Sequence, residues 1–176
     1  MVDITADRLR KEIIRGGFPA GTLLPPERKL AETLGVNRLT LRAALSRLEA
    51  EFLIAPHQGR GISVLDWRLS AGLGILAHVD APEAISETLM LRRTLAAEAI
   101  RAACIHADRD QIEVINQAMQ RQLHENDPYR FFEGDLAFTQ ALVAASGSLP
   151  LQLMFNTLAR IAQAHPEPMM KQLSNR

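Results

Sequence analysis

The stretch PPERKLAETLGVNRLTLRAALSRLEAE, residues 25–51, runs directly into FLIAPHQGRGISV, residues 52–64. Pro25-Pro26 fixes the entry to a helix, because a first-turn N–H has no intrahelical partner and proline loses nothing there; Glu27 suits the positive helix end. Leu30, Ala31 and Leu34 form an apolar stripe, and Gly35 is a glycine stop. Asn37 is a strong N-cap for a second helix, its side-chain oxygen free to accept an early backbone N–H. At about 100° per residue, Leu41, Ala44, Leu45, Leu48 and Phe52 share the face expected to be buried. Phe52 to Ala55 and Ile62 to Val64 then read as short strands. Between them, Pro56 to Gly61 contains glycines that permit positive φ and a bulged turn. Two helices across a tight turn, followed by a small hairpin with Gly59-Arg60-Gly61 near its tip, outline a winged helix-turn-helix.

The opposite face of the second helix carries Leu39, Arg42, Ala43, Ser46 and Arg47, with Arg38 beside it. Arginines, small residues and one exposed leucine are an odd mixture for a face that only meets water. They suit a major groove: arginine bonds bidentately to guanine, small residues allow close approach, and an apolar tip touches a thymine methyl. Arg28 would lie near the phosphates. Arg60 is a cation on a bare loop tip that can reach a minor groove or a phosphate, with His57 as a candidate helper; a solvated turn is the plainer alternative for both.

Charge agrees with that placement without deciding it. The 176-residue chain balances 20 lysines and arginines against 20 aspartates and glutamates, but from Arg8 to Arg47 nine residues are basic and three acidic. A locally basic segment suggests a polyanionic partner, although solvated helix faces account for the charge equally well. With 47% hydrophobic and 23% charged residues the composition is that of a globular protein. Cys104 is the only cysteine, which excludes an intrachain disulfide and suits a reducing compartment; in the apolar run Ala99 to Ile105 it is expected to be a packed thiol. No apolar run approaches the length of a membrane span, and the first residues read as no signal peptide, so a cytoplasmic protein is expected.

Around this centre, Asp3 to Gly16 reads as an amphipathic helix carrying Ala6, Leu9 and Ile13, and Phe18 to Leu24 as an extended connector. Leu65 to Arg68 marks the expected domain boundary, giving residues 1–66 and 67–176, with Trp67 packed at the junction. Ser70 to Val79 is expected as a short helix weakened by Gly72 and Gly74. A long helix follows over Glu83 to His106, with Ile85, Leu89, Leu95, Ala96, Ala99, Ile100 and Ala103 as its apolar residues. Asp108 to Glu125 is striped by Ile112, Ile115, Met119 and Leu123. Asp127-Pro128 caps a helix to Ala145, and Pro150 opens another to about Ala164, before a tail from Pro166 to Arg176. The fold class is therefore mainly α: an N-terminal winged helix-turn-helix with a small β-hairpin, followed by an all-α bundle.

The helix from Pro128 to Ala145 places a carboxylate where a core residue belongs. Phe131, Phe132, Leu136, Phe138, Leu142 and Val143 define its apolar face at about 3.6 residues per turn, and Asp135 and Thr139 fall near the middle. A buried carboxylate must find a cation, a metal or a proton. Arg92, Arg93 and Arg101 on the long helix are candidate partners. An internal salt bridge and a ligand site stand as equal alternatives.

Together these residues resemble the GntR family of bacterial transcription regulators. The resemblance runs from about Ala6 to Val64 and rests on Pro19-Ala20-Gly21-Thr22-Leu23-Leu24-Pro25, Glu27-Arg28-Lys29-Leu30-Ala31, Val36 to Leu45, and Gly59-Arg60-Gly61. It implies an operator-binding winged helix in which Arg28, Arg38, Thr40, Arg42 and Arg60 match positions that touch DNA. Asn37 and Leu39 stand where the family often has Ser or Thr. With these, Ser46, His57, Gly59 and Gly61 complete the candidate DNA-binding set. The helical remainder resembles the ligand-sensing domain of the FadR subfamily, which implies a small-molecule effector, a carboxylate or acyl compound, with Arg92, Arg101, Asp135 and Thr139 as candidate contacts. In that subfamily's metal-binding branch an Asp is followed four residues later by a His. Asp135 matches the Asp, making it a candidate metal ligand, but Thr139 replaces the His, and a hydroxyl is a much poorer ligand for zinc-like ions. The resemblance also implies further helices, so the sensor is expected to be shortened or incomplete.

The expected function is a ligand-responsive, homodimeric DNA-binding regulator, repressing more readily than activating, that reads a short palindromic operator. The alternative is a protein-interaction module with a vestigial winged helix and an incomplete sensor. An enzyme is not expected: no nucleophile is paired with a base, no glycine loop cradles a phosphate, and five scattered histidines form no metal motif.

Overall fold

The computed structural model describes residues 1–167, apart from the side chain of Leu89. The tail expected from Pro166 onward lies largely outside the described residues, as does the side-chain placement of Leu89. By its contacts the chain forms two compact units, Met1–Val79 and Asp80–Arg176.

In the first unit, α1 (Val2–Ile14), α2 (Glu27–Leu34) and α3 (Arg38–Ala50) precede an antiparallel hairpin of β1 (Ile54–His57) and β2 (Gly61–Val64). α1 packs along α3, burying Ala6, Leu9 and Ile13 together with Leu41, Ala44, Leu45 and Leu48. The same helix pair is clamped by an ion pair. Arg10, only 5% exposed, donates from Nε and Nη2 to the two carboxylate oxygens of Glu51 at 2.7 and 2.6 Å, and also bonds Asp7. Burial pulls the Arg10 pKa down, but the hydrogen bonds and charges of Glu51 and Asp7 outweigh it and hold the guanidinium above its ordinary value. Burial and the nearby Arg10 charge push His78 below the usual histidine range.

α2 ends as the glycine stop requires. Gly35 takes φ +68°, and Val36 N–H closes on the Ala31 carbonyl at 3.0 Å. α3 ends in the same way without a glycine: Phe52 adopts φ +58°, with Phe52 N–H on Glu49 O and Leu53 N–H on Leu48 O, both at 2.9 Å. This corrects the expected burial of Phe52. Its turn leaves the helical path one step after Glu51, so the ring swings out to 62% exposure, and Leu53 enters the core instead at 0%.

The hairpin is longer than the sequence suggests. Pairing extends from Ile54–Val64 to His57–Gly61 and takes in Pro56, which β1 tolerates as an edge strand. Only Gln58, Gly59 and Arg60 remain as the loop. The connector before α2 lies along the free edge of β2: Leu24 N–H bonds Ile62 O, Val64 N–H bonds Thr22 O, and Gly21 N–H bonds Val64 O, at 2.8–2.9 Å.

Beyond the hairpin, the expected helix over 70–79 is two pieces, the short α4 (Trp67–Ser70) and a 3-10 turn (Leu73–His78), separated at Ala71-Gly72. α4 opens on an Asp66 N-cap, and the Ser70 hydroxyl donates to Phe52 O at 2.6 Å. Ile75 and Val79 are buried. In the division by contacts, the segment 67–79 lies with the winged helix in the first unit. Trp67 is half-buried beneath the Arg68 guanidinium, 4.7 Å from the ring centre.

The second unit contains α5 (Pro82–His106), α6 (Arg109–Leu123), α7 (Pro128–Ala145) and α8 (Leu149–Ala164). Sequence caps start three of them: Asp108 forms a full capping box with Gln111, Asp127 precedes Pro128, and Ser148 accepts from Leu151 N–H. Ala99, Ala103, Leu142, Val143, Ala145, Leu151 and Phe155 make the main core, with Ile115 packed against it, and Phe132, Leu136 and Ala162 make a smaller one. Two expectations fail here. α6 has no fully buried residue, and Ile112, Met119 and Leu123 stand exposed, although the helix packs chiefly on α7. On α5, burial follows small residues such as Ala99 and Ala103, which leaves Ile100 and Cys104 exposed rather than packed. Among the described residues, no helix is long and apolar enough to cross a membrane.

Candidate nucleic-acid interface and buried effector cluster

The geometry of α3 separates its two faces sharply. Leu41, Ala44 and Leu48 are 0% exposed, whereas Leu39 is 80% exposed and Arg38, Arg42, Ala43 and Ser46 lie on the surface. Asn37 caps the helix, accepting from Thr40 N–H at 2.7 Å, so both residues contribute to the start of the helix as well as to its exposed end. Arg38 and Ser46 have no side-chain partner among the described residues. Arg42 does: its Nε donates to Glu27 Oε2 at 2.8 Å, joining the exposed face of α3 to the first turn of α2. Arg28 lies on α2 in an exposed pair with Glu32 at 3.5 Å. Arg47 pairs with Asp3 of α1 and is thereby tied back to the helix behind.

At the wing, Gly59 and Gly61 take φ +72° and +98°, the left-handed region where a side chain would be strained, so the glycines beside Arg60 are required by the turn. Arg60 N–H closes the loop on His57 O at 3.0 Å, and the Arg60 side chain is exposed. His57 is not a free arm. Its Nε2 lies 2.8 Å from Ser63 Oγ across the hairpin, and the Ser63 hydroxyl donates to Ala55 O at 3.3 Å.

The second unit holds the carboxylate cluster. Asp135 and Thr139 are each 7% exposed on α7. Arg92 reaches them from α5: Nη2 bonds Asp135 Oδ2 and also lies 2.5 Å from Thr139 Oγ1, whose hydroxyl donates to the Asp135 carbonyl at 2.8 Å. Gln122 of α6 donates from Nε2 to Asp135 Oδ1 at 3.3 Å. Gln122 escaped the sequence reading, since a polar residue on a mostly exposed helix carries no signal of its inward contact. Arg101 is not brought to this cluster; it is exposed and pairs with Glu98 on its own helix. Arg93 is exposed as well.

The residues do not fit a metal ion. Both oxygens of Asp135 are already engaged, one by a guanidinium standing where a cation would sit, and Thr139 offers only a hydroxyl shared with the same arginine. Among the described residues, no three His, Cys, Asp or Glu side chains are grouped to hold one. The cluster is instead a hydrogen-bonded ion pair spanning three helices, with an arginine suited to planar anions.

Comparison with known proteins agrees with this architecture. Residues 3–64 match the profile of the gntR family of bacterial regulatory proteins, and residues 87–174 match the FCD domain. The chain is 31% identical over 156 residues to the HTH-type transcriptional regulator Mce2R of Mycobacterium tuberculosis, covering 85% of this chain and 65% of that protein. It is 34% identical over 147 residues to the fatty acid metabolism regulator protein of Serratia proteamaculans, covering 80% and 60%. The chain thus spans somewhat less than two thirds of the length of these relatives. Among solved structures, the Lar protein of Listeria monocytogenes shares the fold with a TM-score of 0.57 at 18% identity, over 93% of this chain and 72% of that one. The two profiles, lying on the two units in the same order as the winged helix and the helical bundle, show that the chain belongs to the GntR family, in its FadR subfamily with an FCD domain.

Proposed function

We propose that the chain is a ligand-responsive, DNA-binding transcriptional regulator of the cytoplasm, not an enzyme, that reads a short palindromic operator as a homodimer. The winged unit is the DNA-binding domain. The observation that carries this reading is the exposed face of α3, where Arg38, Leu39, Arg42 and Ser46 stand out over a fully buried apolar stripe. Arg38 and Arg42 are the base-reading cations; Asn37 and Thr40 start the helix against the backbone; Arg28 and the wing residues His57, Gly59, Arg60 and Gly61 hold phosphates or the minor groove. The likeness to a relative named as an HTH-type transcriptional regulator supports it.

The helical unit is the effector-sensing and dimerisation domain. Arg92, Asp135 and Thr139 form its recognition centre for a small carboxylate or acyl compound, because a ligand carboxylate can take the place of Asp135 on the guanidinium. The subfamily and the buried cluster support this role; the relative named for fatty acid metabolism fits an acyl ligand. Repression is the proposed sense of control.

The test is duplex enrichment from a randomised pool, followed by titration at two salt concentrations. Binding should weaken steeply with salt, as phosphate neutralisation releases counterions. Arg38→Ala and Arg42→Ala should each cost about 1–3 kcal/mol on the enriched duplex and relax sequence preference. Unchanged affinity in both variants would remove α3 as the reading helix, and a salt-independent interaction would favour the interaction-module alternative.

A further inference from the structure

Of the arginines exposed on α3, only Arg42 is bridged to α2. Arg38 has no side-chain partner among the described residues, and Arg47 is turned back to α1 by Asp3. Arg42 is held by a residue that the DNA-binding reading leaves without a role: Glu27, at the first position of α2, accepts from Arg42 Nε at 2.8 Å. The bond uses the one guanidinium nitrogen nearest the chain. Both Nη groups, the pair that can fork onto a guanine, remain without a protein partner among the described residues.

We propose that Glu27 is a specificity-determining positioning residue for Arg42. This rests on the DNA-binding reading and adds to it. A free arginine samples many rotamers and must surrender that freedom to make a forked contact, whereas one anchored at Nε has already surrendered much of it. The anchor is an acid, and this adds a second effect. On a face otherwise suited to phosphates, the Glu27 carboxylate repels a backbone that slides in without the correct base opposite Arg42. Glu27 therefore raises discrimination twice, by strengthening the right contact and by weakening the wrong one. Arg38, without an anchor, tolerates more variation at the base it meets.

The experiment uses the full chain, the duplex it enriches from a randomised pool, and a scrambled duplex of equal composition. Dissociation constants are measured for the parent and for E27A, E27Q, R42A and E27A/R42A. E27A should lower the ratio of specific to scrambled affinity about tenfold, with the loss at the base step where R42A also loses preference, and should bind the scrambled duplex about twofold more tightly. In the R42A background the same change should move the ratio less than about twofold. E27Q, which keeps the shape and a neutral acceptor, should fall between, and it carries the test if E27A folds poorly. An E27A variant that keeps its discrimination while R42A loses it overturns the proposal and leaves the DNA-binding reading standing. So does an equal effect in the R42A background, which marks a purely structural role. If R38A and R42A both bind like the parent, the underlying reading falls and this inference with it.

Discussion

At the scale of single residues, the cost of the buried ion pair decides what the second unit can tolerate. Asp135 and Arg92 are 9% and 14% exposed at their side chains, so removing either leaves a charge in a poorly hydrated place. Asp135→Ala should destabilise the unit by about 3–5 kcal/mol, because Arg92 loses its counter-ion while staying charged. Replacing the pair with Asp135→Leu and Arg92→Met should cost far less, since two apolar side chains leave no uncompensated charge. Urea unfolding of the three proteins checks this, and equal losses in the single and double variants would mean the pair contributes packing rather than charge. The sequence made Asp135 legible as a carboxylate on an apolar face. It left Arg92, Arg93 and Arg101 open as partners, because all three lie on one helix and only the approach of α5 to α7 selects among them. Gln122 was not legible at all, since its contact depends on where α6 lies.

At the scale of elements, start signals read better than stop signals. Asn37 and Asp127 announce helix starts through local side-chain chemistry, and each is used as the sequence implies, whereas the Asp108 capping box emerges only in the fold. The end of α3 is the exception, because a phenylalanine performs the turn that Gly35 performs for α2. Periodicity carried Phe52 onto the buried face, whereas the chain had already left the helix. The left-handed conformation costs a residue with a side chain about 1–2 kcal/mol, partly offset by the greater freedom a glycine loses on folding. Phe52→Gly should therefore stabilise the first unit by roughly 0.5–1 kcal/mol, seen as a higher Tm. A lower Tm would show that the exposed ring makes a contact worth more than the strain. The long connector before α2 was read as extended, but its bonding to β2 was not, since a partner strand supplied from before the helices leaves no local pattern.

For the whole molecule, the proposed function requires two copies. A homodimer reading DNA carries its twofold symmetry into the operator, so the enriched duplex should contain inverted half-sites, and footprinting should protect both. A single unrepeated half-site with one chain bound would contradict the dimeric reading. The wing sets a further condition on that complex. β2 is hydrogen-bonded along both edges, to β1 on one side and to the connector on the other, and only Gln58, Gly59 and Arg60 extend beyond the last paired residues. Such a wing behaves as a gauge of fixed length, not as a feeler. Under the proposed function the Arg60 backbone arrives at one height above the base of the hairpin, and a groove of another width has to be met by the arginine side chain alone, where a supple loop would have followed it.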